Sequence, residues 1–390
     1  MARITGRYDR TTAGGEEVAA FIPSPLPPTD PPFSLDADTR GLLRRAEHEL
    51  ARLDLASEMV PSVEWFLYGF VRKEAVLSSQ IEGTQATLID LLKFEAERDE
   101  EVAPNADVQE VCNYLDALAY ARDQIGRDDG LPISMRLLNE AHRRLMNGVR
   151  GADKRPGELR QSQNWVGGTR PGNAAFVPPP PHALGEALGE LERYIHADDP
   201  LPPLIRAGFL HVQFETIHPY LDGNGRIGRL LITLLLEHWN QLSQPLLYLS
   251  LFFKRHRDDY YRLLNAVRVE GDWEAWTRFF LEGVATIAGE ATDTARDLFA
   301  RVNGDRARAL AVPKSTVMAV RLFEELPRHP IVTIARVTEL LDTTKPTAAK
   351  AVSILVEAGV LTETTGRRRD RTFSYAAYLD LLRAGTELEG

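Results

Sequence analysis

The sequence predicts a mainly α-helical protein with one small β-hairpin and a C-terminal winged helix-turn-helix. Three observations lead there. Apolar residues recur at helical spacing over most of residues 42–299. That rhythm breaks between Gly151 and Pro181, where Gly167-Gly168, Pro171-Gly172 and a run of four prolines surround two short strand-like stretches. Beyond Asn303 the pattern changes to a helix, a helix-turn-helix and two short strands.

Composition sets the limits. A chain of 390 residues is long for one core and suggests two or three domains. Hydrophobic and charged fractions of 44% and 26% are ordinary for a soluble globular protein. The net charge of −10 disfavours wholesale coating of nucleic acid, though a local basic patch can still bind it. A lone cysteine, Cys112, excludes a disulfide framework. No apolar run reaches the roughly 18 residues of a membrane span. The first 17 residues lack the apolar core of a signal peptide. No membrane association and a cytoplasmic location are therefore expected.

The elements follow in order. Residues 1–35 read as an extended arm, because the prolines from Pro23 to Pro32 fix φ and remove donors. A helical region, 36–105, comes next. Leu42, Leu43, Ala46, Leu50 and Leu53 make one stripe, and Val63–Gln80 a second helix. Thr84 is expected to cap a third, Gln85–Glu95. The core, 106–302, opens with helices near Val108–Gln124 and Ser134–Met146. Gln163–Val166 and Ala174–Val177 then form the hairpin, and helices resume from His182 to Phe299. Asn303–Pro313, which contains Gly304, is a candidate hinge. In 313–390, helices are expected over Thr316–Leu326, Thr333–Leu341 and Pro346–Ala358, and two strands around the basic turn Arg367–Arg371.

Chemistry concentrates between His218 and Arg229. Leu204–Ile217 and Ile227–Trp239 are helix candidates, and Pro219 limits continuation of the first. Gly223 and Gly225 can take positive φ, so their amides can converge as an anion nest. The second helix begins there and adds free N–H groups and its positive dipole end. Arg226 and Arg229 are three apart and share a face. Forked guanidiniums above such a nest describe a polyphosphate site. Asp222 suits a Mg²⁺ ion that bridges phosphate oxygens. Asn224 can donate an amide hydrogen bond to phosphate. His218, with an unperturbed pKa of about 6.5, suits proton abstraction near neutral pH. Gly223–Gly228 also fits the G-x-G-x-x-G dinucleotide pattern, but that pattern needs a preceding strand and the upstream period is helical. Glu215-x-x-His218 has the spacing of di-iron helices, which need a second such pair; the chain has no convincing one.

The stretch from His218 to Arg229 resembles the signature of Fic-domain proteins, H-x-F-x-[DE]-[AG]-N-[GK]-R-x-x-R, at every position but one, Tyr220 standing for phenylalanine. The similarity covers roughly residues 42–299. It implies a Fic-type helical bundle that binds ATP and Mg²⁺ and transfers AMP to a Tyr, Thr or Ser hydroxyl of a target protein, releasing pyrophosphate. On this sequence it implies His218 as general base, Asp222 as the Mg²⁺ ligand, and Gly223, Asn224, Gly225, Arg226 and Arg229 as the phosphate cradle. Arg160–Pro181 takes the place of the family's flap, which clamps a target's backbone as an added strand. Tyr260 resembles a position that contacts adenine; alternatively it packs the core with Tyr261. Ser78-Ser79-Gln80-Ile81-Glu82-Gly83 fits the inhibitory-helix signature [ST]-x-x-x-E-[GN] of the same family. That implies a Glu82–Arg229 pair which leaves ATP bound unproductively. Two alternatives stand beside this reading. One is a DNA-binding regulator that uses Thr347, Lys350, Ser353 and the wing arginines. The other is AMP removal by the same loop, with Glu82 positioning water. Because relatives often dimerise, a homodimer is a further option.

Overall fold

Fifteen α-helices and five β-strands form among the described residues of this computed structural model, which are 3–58, 63–97, 105–367 and 370–388. In chain order they are β1 (Gly6–Ala13), β2 (Glu16–Pro23), α1 (Ala37–Glu58), α2 (Val63–Ile81), α3 (Leu88–Glu97), α4 (Ala106–Ile125), α5 (Met135–Leu145), α6 (Leu184–Ile195), α7 (Pro203–Ile217), α8 (Asn224–His238), α9 (Ser250–Arg255), α10 (Arg257–Glu270), α11 (Trp273–Ala311), α12 (Val317–Glu325), β3 (Ile331–Thr333), α13 (Ile334–Leu340), α14 (Lys345–Glu357), β4 (Thr362–Glu363), β5 (Thr372–Ser374) and α15 (Ala376–Leu382). No described helix is long and apolar enough to cross a membrane. The chain divides into two compact units.

The first unit comprises Met1–Ala51, Cys112–Pro245 and Phe252–Ile287. Its centre is α7 packed on α8. Every residue from Leu204 to Ile217 is buried, as is every residue from Arg226 to Leu236. Helices buried on all sides belong in the middle of a bundle. Phe33 and Trp273 meet Phe209 edge-on, with centroids at 5.0 and 4.7 Å. Trp276 donates its indole N–H to the Gly208 carbonyl at 3.0 Å.

Where the sequence predicts an extended arm, β1 and β2 pair as an antiparallel hairpin, from Gly6↔Pro23 to Ala13↔Glu16. The cause is local. Gly14 and Gly15 take φ of 55° and 84°, as in a two-residue turn whose twist matches the flanking strands. Burial of Val18, Ala20, Phe21 and Ile22 holds the hairpin down. Phe21 also donates its N–H to the Val177 carbonyl at 2.9 Å. The hairpin expected in Arg160–Pro181 is correspondingly smaller. Only Val166 and Phe176 bridge, through N–H···O bonds of 2.8 and 3.1 Å. Pro178–Pro181 bring no N–H to extend the ladder. The Gln163 side chain substitutes by donating to the Pro178 carbonyl at 2.8 Å.

The second unit comprises Arg52–Val111, Leu246–Leu251 and Ala288–Gly390. Residues 317–374 run helix, strand, helix, helix, strand, strand, and the sheet order is β3-β5-β4. Helix, helix-turn-helix and two strands thus follow in the expected order, with β3 as a third strand of a small antiparallel sheet. Thr316 and Thr333 cap α12 and α13 by accepting from Ala319 N and Arg336 N at 3.3 and 3.1 Å. On α14, Lys350 and Ser353 are exposed, and Thr347 is half-buried with its hydroxyl 3.0 Å from that of Thr344. Of the expected basic turn, Arg368 and Arg369 lie outside the described residues. The hinge expected at Asn303–Pro313 does not form, because α11 runs unbroken to Ala311. Val302, Asp305 and Ala309 are buried there, and Asp305 accepts from the Tyr375 hydroxyl at 2.8 Å. Together these outweigh the roughly 1 kcal/mol that Gly304 costs a helix. The cap of α3 is Thr87 rather than Thr84. Thr87 Oγ1 accepts from Asp90 N at 3.2 Å and the Asp90 carboxylate accepts from Thr87 N at 2.9 Å, whereas Thr84 donates to Glu110 at 2.7 Å.

Candidate active site

The loop joins two helices, α7 and α8, and the dinucleotide alternative fails because no strand precedes it. α7 ends on His218, whose φ of 49° and ψ of 62° are left-handed and whose N–H donates to the Phe214 carbonyl at 2.9 Å. A non-glycine residue pays about 1–2 kcal/mol for that conformation. Two arginines grip this helix end. Arg160 donates to the carbonyls of His218 at 2.9 Å, Ile217 at 3.4 Å and Pro179. Arg268 donates to the Glu215 carbonyl at 3.2 Å and the Thr216 hydroxyl at 3.1 Å. Cations stabilise the negative end of a helix dipole. Burial lowers both guanidiniums to about 10, which leaves them charged at neutral pH.

Tyr220 anchors the loop. It is fully buried, lies flat on the His142 ring at 3.8 Å, and donates its hydroxyl to Asn139 Oδ1 at 2.8 Å. The phenol in place of the family's phenylalanine thus finds the partner that burial demands. Asn224 closes the turn, accepting from Tyr220 N and donating to Tyr220 O, each at 2.9 Å. Its side chain is 2% exposed. This amide shapes the loop backbone.

His142, on α5, is a residue the sequence reading missed. Its Nε2 donates to the Asp222 carbonyl at 2.9 Å, and its Nδ1 accepts from Gly157 N at 2.8 Å. Both partners are satisfied only by the neutral Nε2–H tautomer. Burial pushes its pKa down to about 4, and that of the fully buried His211 to about 3. The signal available in the sequence was position: His142 lies between Leu138 and Leu145 on the apolar stripe of its helix. A pH prediction follows. The folded pKa of His142 lies below its ordinary 6.5, so the unfolded chain binds the proton more tightly. Its contribution to stability is complete above pH 6.5 and is lost as pH falls towards 4. The loss is about 3 kcal/mol for His142, and His211 acts in the same direction. Urea melts between pH 7.5 and 4 are expected to show it, with a smaller slope in His142→Gln.

Gly223 begins α8 with φ of 76°. A Cβ there would sit 2.9 Å from Met146 Sδ and 3.3 Å from His142 Nε2. Gly225, by contrast, is helical and needs no positive φ; the nest has one left-handed glycine, not two. Ile227 N donates to Gly223 O at 3.1 Å as the first helical bond. The N–H groups of Asn224, Gly225 and Arg226 therefore have no acceptor within the helix. Arg226 and Arg229 are 1% and 2% exposed, one and two turns into α8. Asp222 accepts from Gly223 N at 2.6 Å, lies 3.8 Å from Arg226 Nη2, and keeps a side chain 39% exposed. A single accessible carboxylate fits Mg²⁺, which takes few protein ligands and completes its shell with phosphate oxygens and water. No all-protein cage of three or more His, Cys, Asp or Glu exists among the described residues.

Two sequence-predicted residues stand apart. Tyr260 is 1% exposed and its hydroxyl lies 2.8 Å from His211 Nε2. Its ring packs in the core beside Phe253 and Trp276. Glu82 belongs to the second unit, at the end of α2. Gly83 N donates to Gln80 O at 3.0 Å and Thr84 N to Ser79 O at 3.2 Å, with Gly83 at φ 97°. This is a Schellman termination with Glu82 as its last half-helical residue.

Comparison with known proteins is consistent with this geometry. Residues 41–123 match the model of the Fic/DOC family N-terminal region, and residues 132–236 that of the Fic/DOC family. Relatives named protein adenylyltransferase Fic include one from Drosophila persimilis, 32% identical over 154 residues, and one from Culex quinquefasciatus, 32% identical over 152 residues. Those matches span 39% and 38% of this chain and only 27% of each relative. The fold is similar to a Fic family protein from Desulfovibrio desulfuricans, with TM-score 0.56 and 19% identity over 88% of this chain and 97% of that one. It is also similar to a Fic domain containing signaling protein from Bacteroides thetaiotaomicron, with TM-score 0.53 and 17% identity over 65% of this chain and 97% of that one. The chain is a Fic-domain protein, with the family's N-terminal region preceding its Fic domain.

Proposed function

We propose that this protein transfers AMP from ATP to a Tyr, Thr or Ser hydroxyl of a target protein, releasing pyrophosphate, and that Glu82 restrains the reaction. One observation carries the reading: a single buried joint ends one helix on His218 and starts the next on Asp222 and Gly223, with Arg226 and Arg229 behind it. The first-turn amides of α8 and the two guanidiniums bind and orient the phosphates. Asp222 would hold Mg²⁺, which would supply charge neutralisation at the phosphates. His218 takes the proton of the acceptor hydroxyl. Glu82, the carboxylate of the motif that ends at Gly83, restrains productive use of the nucleotide. The names of the relatives support the transfer, and the motif ending at Gly83 supports the restraint.

The test is transfer of labelled AMP by the wild type and by Glu82→Gly with Mg-ATP, using lysate as a source of targets. Glu82→Gly is expected to raise transfer about 5- to 150-fold, the range of a coupling of 1–3 kcal/mol. Equal, measurable transfer by both proteins removes Glu82 as inhibitor; no transfer by either removes the activity. Loss of AMP from pre-modified target would point to the removal reaction instead. The winged topology, with Lys350 and Ser353 exposed on α14, favours DNA as a second partner. A salt-dependent shift with duplex DNA, weakened by Lys350→Ala together with Arg367→Ala, is then expected; no shift at low salt removes that role.

A further inference from the structure

One side chain ties the flap to the helix that ends in His218. Arg160 opens the flap segment, and its backbone N–H donates to Pro219 O at 3.0 Å. Its Nε donates to His218 O at 2.9 Å and its Nη2 to Ile217 O at 3.4 Å and to Pro179 O. Its Nη1 donates to Ser162 O at 3.4 Å. Arg160 is 2% exposed, and all these acceptors are backbone carbonyls. Ile217 and His218 carry the last carbonyls of α7, which no helical N–H can satisfy. Ser162 and Pro179 lie on the two legs of the flap.

His218 is held in a left-handed conformation that persists only where its surroundings over-determine it. The direction of its imidazole follows from the orientation of its own peptide planes, and Arg160 pins the carbonyl side of that residue. We propose that Arg160 is the positioning residue for His218: its guanidinium fork locks the His218 peptide to both legs of the flap and so aims the imidazole at the acceptor hydroxyl. This rests on reading His218 as the general base. Lysine supplies the charge but not the planar fork that spans several carbonyls at once. Hydroxyl transfer therefore depends on Arg160, whereas nucleotide binding, which uses the start of α8, does not.

The test uses the full chain carrying Glu82→Gly, so that transfer is measurable. Arg160→Gln and Arg160→Lys are expected to lower kcat for transfer about 10- to 100-fold, the scale of a small misplacement of a reacting group. KM for Mg-ATP should change by less than about threefold. Added to His218→Asn, Arg160→Gln should cost less than about twofold more, because the two residues act as one unit. Arg268→Gln is the control for helix-end stability. Arg268 holds the same turn without touching His218, so transfer should stay within about threefold. Equal damage by Arg268→Gln, or full additivity with His218→Asn, would overturn the proposal. If no protein transfers AMP, the proposed activity fails, and the His218 Cε1–H magnetic resonance decides Arg160 independently. That resonance moves in Arg160→Gln and stays in Arg268→Gln if the clamp holds the ring; no movement in Arg160→Gln refutes it.

Discussion

Replacing His218 with asparagine is expected to lower AMP transfer by about 10²- to 10⁴-fold, the contribution of a positioned general base. Binding of Mg-ATP should be almost unchanged. Asparagine is the informative choice because it tolerates the left-handed backbone that His218 adopts at φ 49°. An alanine there would confound loss of the base with strain at the end of α7. The phosphate-binding groups lie beyond the Tyr220 turn, which Asn224, Asn139 and His142 hold independently of the His218 ring. Titration calorimetry with Mg-ATP and single-turnover transfer, both in the Glu82→Gly protein, separate the two effects. Transfer retained within about tenfold would mean that another group takes the proton.

Gly223→Ala should be the most damaging single methyl in the loop. A side chain at φ 76° is strained before any contact is considered. The new Cβ would also lie 2.9 Å from Met146 Sδ and 3.3 Å from His142 Nε2. Methionine can yield, but the His142 ring cannot: it is pinned by Gly157 and Asp222 and stacked on Tyr220. Strain and overpacking together should cost about 2–4 kcal/mol. The urea midpoint should fall with an unchanged slope, and ATP affinity should fall with it, because the start of α8 must move. A midpoint equal to that of wild type would show that the loop is not as tightly packed as this geometry requires.

The legible part of the site was its contiguous part. Twelve neighbouring residues carried a base, a carboxylate, a glycine turn and two arginines, and the helical stripes on either side placed them between two helices. The start of α8 was read three residues late, at Ile227 rather than Asn224. Its cap is Gly223, which offers no side-chain signal. The backbone bonds of Asn224 were not legible, because an amide can serve a phosphate or a backbone equally well. The bond of the Tyr260 hydroxyl to His211 was not legible either, because His211 is 49 positions away. His142, Asn139 and Arg160 were missed altogether. Each reaches the loop from 58 to 81 positions away, and nothing in their local sequence names that destination.

By itself the sequence determined the helical class, the order of helices and strands after residue 316, the Fic loop and the helix end at Glu82. These depend on periodicity and on residues within one or two turns of each other, and local physics is written locally. Tertiary structure alone decided that the N-terminal segment pairs as a hairpin against Val177, that α11 runs through the expected hinge, and that the loop from His218 to Arg229 is gripped by side chains from α5 and by Arg160. The reason is common to all three. A proline-rich arm, a glycine in a helix and a left-handed histidine each carry a local penalty, and only burial and hydrogen bonds from distant parts of the chain can outweigh it.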